Sequence, residues 1–116
     1  MLSGLFVGCS YKNPIKTYST TIIFKTPKMK FYDRGFVKIY DDYINLQILN
    51  LGKVILNLNI YKDTICQNDF RCMSAKEFNK TYLSSQYDDD FLYKLFLKQP
   101  IYFKDKQNHI LIKVKQ

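Results

Sequence analysis

From Ile44 to Tyr61 the chain alternates with a period of two. Ile44, Leu46 and Ile48 are interleaved with Asn45, Gln47 and Leu49; after Asn50-Leu51-Gly52, residues Val54, Leu56, Leu58 and Ile60 are interleaved with Ile55, Asn57, Asn59 and Tyr61. Successive side chains of a strand point to opposite faces, so this pattern puts an apolar set on one face and an amide-rich set on the other. An antiparallel hairpin with one packed face and one wet face satisfies both sets, and Gly52 supplies the turn. The remaining elements have to be built around that hairpin.

Size and composition bound what can surround it. The 116 residues carry 18 Lys+Arg against 10 Asp+Glu, a net charge of +8, and 47% are hydrophobic. That length fits one domain, able to bury roughly two-thirds of its unfolded surface. The apolar and aromatic content excludes a disordered chain. No run of about 18 uncharged apolar residues offers a membrane-spanning helix.

On the N-terminal side, Thr20 to Thr26 is β-branched and aromatic and stops at Pro27, which predicts a strand suited to a sheet edge. Met29 to Tyr32 and Phe36 to Tyr40, separated by Asp33-Arg34-Gly35, predict two strands or one bent strand. On the C-terminal side, Ser74-Ala75-Lys76-Glu77 is a capping box opening a helix to about Leu83, with Phe78 and Tyr82 one turn apart. Asp88-Asp89-Asp90 opens a second helix whose stripe is Phe91 or Leu92, Leu95 and Phe96, stopped by Pro100. Ile101 to Phe103 and His109 to Val114 predict two closing strands around a polar turn. The expected fold is α+β: an antiparallel meander covered on one face by two short helices, with an incomplete half-barrel as its curved variant.

The first nine residues suggest an address. Leu5-Phe6-Val7-Gly8-Cys9 is an apolar run ending in a small residue and cysteine, which resembles a bacterial lipobox with Phe6 where Leu is usual. On this reading residues 1–9 are the end of a lipoprotein signal, Cys9 is lipidated, residues 10–18 are a polar tether and 19–116 form the domain. The alternative is a buried N-terminal strand with a free thiol. With Cys9 lipidated, Cys66 and Cys72 remain as an even pair, and in an exported domain such a pair predicts a disulfide pinning a local turn. Two buried free thiols are the alternative; a redox or zinc site lacks the usual spacing and has only His109 to help.

The inventory for chemistry is thin. Asp88-Asp89-Asp90 could hold a divalent cation or work as acid and base, but carboxylates also favour a helix N-terminus for its dipole alone. His109 is expected in the last strand facing solvent, with no nucleophile to pair with. No catalytic residues, no metal and no cofactor are expected, and the protein is read as a non-enzyme. Lys alternates with aromatics in Tyr93-Lys94-Leu95-Phe96-Leu97-Lys98 and Tyr102-Phe103-Lys104, which suits single-stranded nucleic acid, the wet face of half-buried elements, or an anionic membrane surface.

Asp33-x-Gly35-Phe36, the hairpin through Gly52, Ile65-Cys66, Cys72, Phe78-Asn79, Tyr87-x-Asp89 and Lys98-x-Pro100-Ile101 resemble small outer-membrane lipoproteins of the Helicobacter and Campylobacter group, over residues 5–103. The resemblance implies export and outer-membrane attachment and transfers no catalytic residues. The element order is also similar to the half-barrel of LolA- and LolB-type lipoprotein carriers. The expected function is that of a lipid-anchored envelope protein acting by binding an envelope protein or lipid. A half-barrel carrier is the first alternative, with Leu46, Ile48, Leu56, Leu58, Leu92, Leu95 and Phe96 lining an apolar pocket. A basic nucleic-acid-binding module is the second, and nucleic acid is the less natural partner.

Overall fold

The structure, a computed structural model, describes residues 13–68, 71–98 and 100–115. Six strands come first: β1 (Lys16–Lys25), β2 (Lys30–Ile39), β3 (Ile44–Asn50), β4 (Lys53–Ile60), β5 (Thr64–Gln67) and β6 (Arg71–Ser74). Helices α1 (Ala75–Tyr82) and α2 (Phe91–Leu97) follow, then β7 (Ile101–Asp105) and β8 (Ile110–Val114). The strands form one open sheet in the order β6-β5-β4-β3-β2-β1-β8-β7, antiparallel in each pair. The meander ends at β6 on one edge and the chain resumes at β7 on the other, so residues 75–100 run from edge to edge and carry both helices. Among the described residues no helix is long and apolar enough to cross a membrane.

The central hairpin forms as the alternation requires. Ile44, Leu46 and Ile48 stand opposite Ile60, Leu58 and Leu56, and the register shifts between Ile48 and Leu49. Leu51 and Gly52 both take left-handed backbone, with φ of 52° and 81°, the geometry a two-residue hairpin turn needs to match the strand twist. Within β2, Asp33-Arg34-Gly35 does not turn: one ten-residue strand runs through all three. Gly35 makes this pairing close, since a Cβ there would run into the Gln47 carbonyl and the Ile22 side chain. The Asp33 carboxylate accepts from Asn50 Nδ2 at 2.7 Å and from the Arg34 amide at 2.9 Å, and these bonds hold its pKa below the usual carboxylate value.

Four details differ from expectation. β1 starts at Lys16, opposite Ile39, and so takes in residues assigned to the tether; pairing along the full length of β2 outweighs the polar composition of Lys16 to Ser19. The segment around the cysteines forms β5 and β6, too short to show a period of their own. Cys66 lies directly opposite Cys72 and is disulfide-bonded to it, so the bridge staples two strands together. His109 lies in the β7–β8 turn, with φ of 57°, because the Asp105 carboxylate organises that turn by accepting from the Asn108 amide and Asn108 Nδ2. Glu77 completes only half of the expected box: its amide donates to Ser74 Oγ at 3.1 Å, while its carboxylate accepts from Thr81 Oγ1.

One cluster of buried side chains holds the molecule together. It takes the same alternating set from each strand, including Ile22 and Phe24, Val37 and Ile39, Leu46 and Ile48, Leu58 and Ile60, and Ile112 and Val114. Ala75 and Phe78 of α1, and Leu92, Tyr93 and Phe96 of α2, belong to it too. Helices of eight and seven residues are marginal alone, so this packing is what stabilises them.

Candidate binding surface

Opposed residues in a sheet share a face, so the pairing registers also define the side away from the core set. Across the β2-β1-β8-β7 half, the first row on that side is Lys30, Lys25, Leu111 and Lys104, and the next is Tyr32, Ile23, Lys113 and Tyr102. Arg34 and Thr21 follow, then Phe36 beside Ser19 and Gln47, then Lys38 beside Thr17 and Asn45. Tyr32 and Tyr102 are 62% and 67% exposed. Lys113 lies over the Tyr102 ring and Lys38 over Phe36, each 5.7 Å from the centroid, distances at which a cation is held by the ring quadrupole.

No strand residue on this side, among those described, is acidic. Asp33 and Asp105 are on strands but on the core side, opposite Ile22 and Ile110. The other described carboxylates sit in turns or on the helical segment. The two Lys and aromatic runs are thereby sorted. Tyr102 and Lys104 face outward while Phe103 turns to the core. In the α2 run, Tyr93 is buried with Lys62 over its ring, and Lys94 pairs with Asp90 at 3.3 Å.

Over β3 and β4 the same side carries amides. Asn45 Nδ2 donates to Asn57 Oδ1 and Asn59 Oδ1, both at 2.8 Å, and Asn59 is opposite Cys66, which brings the disulfide into this row. The amides satisfy one another, so this half is polar without charge. Beyond it, Tyr40, Tyr43 and Tyr61 stack with centroids 4.6 and 5.1 Å apart.

At the other end lies a shallow hollow of about 340 Å³, lined by Lys25, Lys104, Lys106 and His109 together with Asp105 and two apolar side chains. The Asp105 carboxylate there is already engaged by Asn108 and by the Tyr87 hydroxyl. Those two bonds, in that order, lower its pKa. Burial and the neighbouring Asp105 raise that of the Tyr87 phenol. Beside this end the β3–β4 turn projects Leu51, 96% exposed, and Val54 and Ile55 beyond it are exposed as well. Leu51 lines a second hollow with Ser19, Phe36 and the oppositely charged Asp33 and Arg34, which places it beside the outward side of β2.

The residues expected to line an apolar pocket are packed in one cluster, and neither hollow described above is lined by any of them. Leu46, Ile48, Leu56, Leu58, Leu92 and Phe96 are members of the buried cluster, and Leu95 packs against its edge. Asp90 is the N-terminal cap position of α2 but makes no side-chain capping bond; its carboxylate meets Lys94 instead. Among the described residues no group of three or more His, Cys, Asp or Glu could hold a metal ion. Cys9 lies outside the described residues. Sequence reasoning missed the carboxylate-free side because Lys25, Lys104 and Lys113 meet only once β8 pairs with β1. The signal was nonetheless present, as the absence of Asp and Glu at alternate positions.

No protein-family model, curated protein or solved structure matches this chain. What the fold and surface define is a class: a small, disulfide-stapled, open antiparallel sheet with two short helices and a segregated cationic side.

Proposed function

We propose that this chain is a lipid-anchored, non-enzymatic binding protein of the bacterial cell envelope, acylated at Cys9 and held at the periplasmic face of the outer membrane. The observation that carries the reading is the Cys66–Cys72 disulfide between β5 and β6, since such bonds persist in oxidising compartments and are rare in reducing ones. The Leu5 to Cys9 sequence supplies the anchor, and the chain stands in this reading with the small outer-membrane lipoproteins that it resembles. Its work is contact: α1 and α2 lie on the side of Leu46 and Leu58, supported by their shared buried cluster, and the opposite side of the sheet meets the partner.

Metabolic labelling with a palmitate analogue tests the anchor. Label incorporated by the wild-type chain and lost in Cys9→Ala is the expected result; equal label in both, or none in either, overturns it. Thiol titration of unreduced, denatured protein tests the compartment, with no reaction expected from Cys66 or Cys72.

A further inference from the structure

We infer that the cationic side of β2, β1, β8 and β7, with the Leu51 turn, docks onto the surface of an anionic phospholipid bilayer. Charge complementarity is the first argument. Lys25, Lys30, Arg34, Lys104 and Lys113 share one side of the sheet with no described carboxylate among the strand residues there, so the charged strand side chains on that side are all of one sign and together attract an anionic surface. Side-chain type is the second. Tyr32 and Tyr102 stand exposed between those cations, and rings with an apolar body and a polar tip settle at headgroup level.

Leu51 decides between a bilayer and a nucleic acid. A leucine that is 96% exposed, held in left-handed backbone, has neither packing nor conformational preference to keep it there. Val54 and Ile55 extend the exposed apolar tip, and Arg34 lines the same hollow as Leu51. Asp33 lines that hollow too, with its carboxylate engaged by Asn50 and the Arg34 amide. An apolar tip beside Arg34 gains from entering the headgroup boundary while the cations of the adjoining strands meet lipid phosphates. A phosphate backbone has no use for such a tip. The hollow at the β7–β8 turn, where three lysines outnumber one carboxylate already engaged by Tyr87 and Asn108, is of a size to take one phosphate-bearing headgroup.

This inference deepens the envelope reading by assigning the contact surface, and it is tested without the anchor. The full chain carrying Cys9→Ala is sedimented with vesicles of phosphatidylcholine alone or with about a quarter phosphatidylglycerol. Expected is binding to the anionic vesicles only, weakened by added salt. The triple variant Lys25→Gln, Lys104→Gln, Lys113→Gln should bind about a hundredfold more weakly, at roughly fivefold per charge. Leu51→Asn suits the left-handed turn better than leucine, so it folds at least as well, and it should still lose about tenfold in affinity. Equal binding to neutral vesicles, or no loss in either variant, overturns the inference. Tighter binding to an oligothymidylate than to the anionic vesicles, unchanged by Leu51→Asn, also overturns it in favour of nucleic acid. Failed acyl labelling with intact vesicle binding would remove the anchor and leave this surface standing.

Discussion

Gly35 of β2 lies so close to the Gln47 carbonyl of β3 that no side chain fits between them. The pair sits at the middle of the sheet, beside the Gly35 and Ile48 register position. Because the obstacle is backbone, β3 itself would have to move to admit a methyl group. Gly35→Ala should therefore cost about 3 kcal/mol, at the upper end of overpacking effects. Urea denaturation measures it, and a loss below about 1 kcal/mol would show that β3 can shift.

Leu51 and Gly52 make opposite demands on the hairpin turn. Both have positive φ, which glycine adopts freely and leucine does not. Leu51→Asn should stabilise the fold by about 1 kcal/mol, since asparagine tolerates this conformation and the exposed leucine has no packing to lose. Gly52→Ala should destabilise by about 1 kcal/mol. Thermal melts of the two variants should move in opposite directions.

The Cys66–Cys72 bridge closes a very short loop, with a sequence separation of 6. On the chain-entropy account it stabilises by about 2 kcal/mol, and it is the main covalent support for β5 and β6 at the sheet edge. Replacing both cysteines with serine should lower stability by that amount. Hydrogen exchange should quicken first in residues 64–74, with the central strands protected as before.

Tyr87 and Asp105 predict a pH dependence with two arms. The Asp105 pKa is lowered in the fold, mainly by Asn108 and then by Tyr87. Its stabilisation is present above the unfolded value of about 3.9 and is lost as pH falls through the folded value. The Tyr87 pKa is raised, first by burial and then by Asp105. Its stabilisation is present below the unfolded value of about 10 and is lost as pH rises beyond that. Tyr87→Phe should lower the melting temperature by a few degrees at neutral pH, and the gap to wild type should narrow towards both extremes. A gap constant from pH 3 to 11 would show that the hydroxyl contributes only by packing.

Much of this protein is written in short-range pattern. The alternation of Ile44 to Ile60, the breaks at Pro27 and Gly52 and the Ser74 cap each act over a few residues, so the central hairpin, both helices and the pairing of Cys66 with Cys72 are legible in the chain alone. What depended on distant residues was not. Asp33-Arg34-Gly35 carries turn residues, yet it runs straight because β1 and β3 flank it and Gly35 lets β3 close in. Thr64 to Gln67 and Arg71 to Ser74 are too short to announce a period and become strands because β4 offers an edge to pair with. The cationic side is the largest such case. Lys25, Lys104 and Lys113 are far apart in sequence, and only the pairing of β8 with β1 sets them on one side of a sheet. Local composition determined which segments were strands and which residues were apolar; long-range backbone pairing decided which charges became neighbours, because a strand's alternation fixes two faces but never says which other strands will share them.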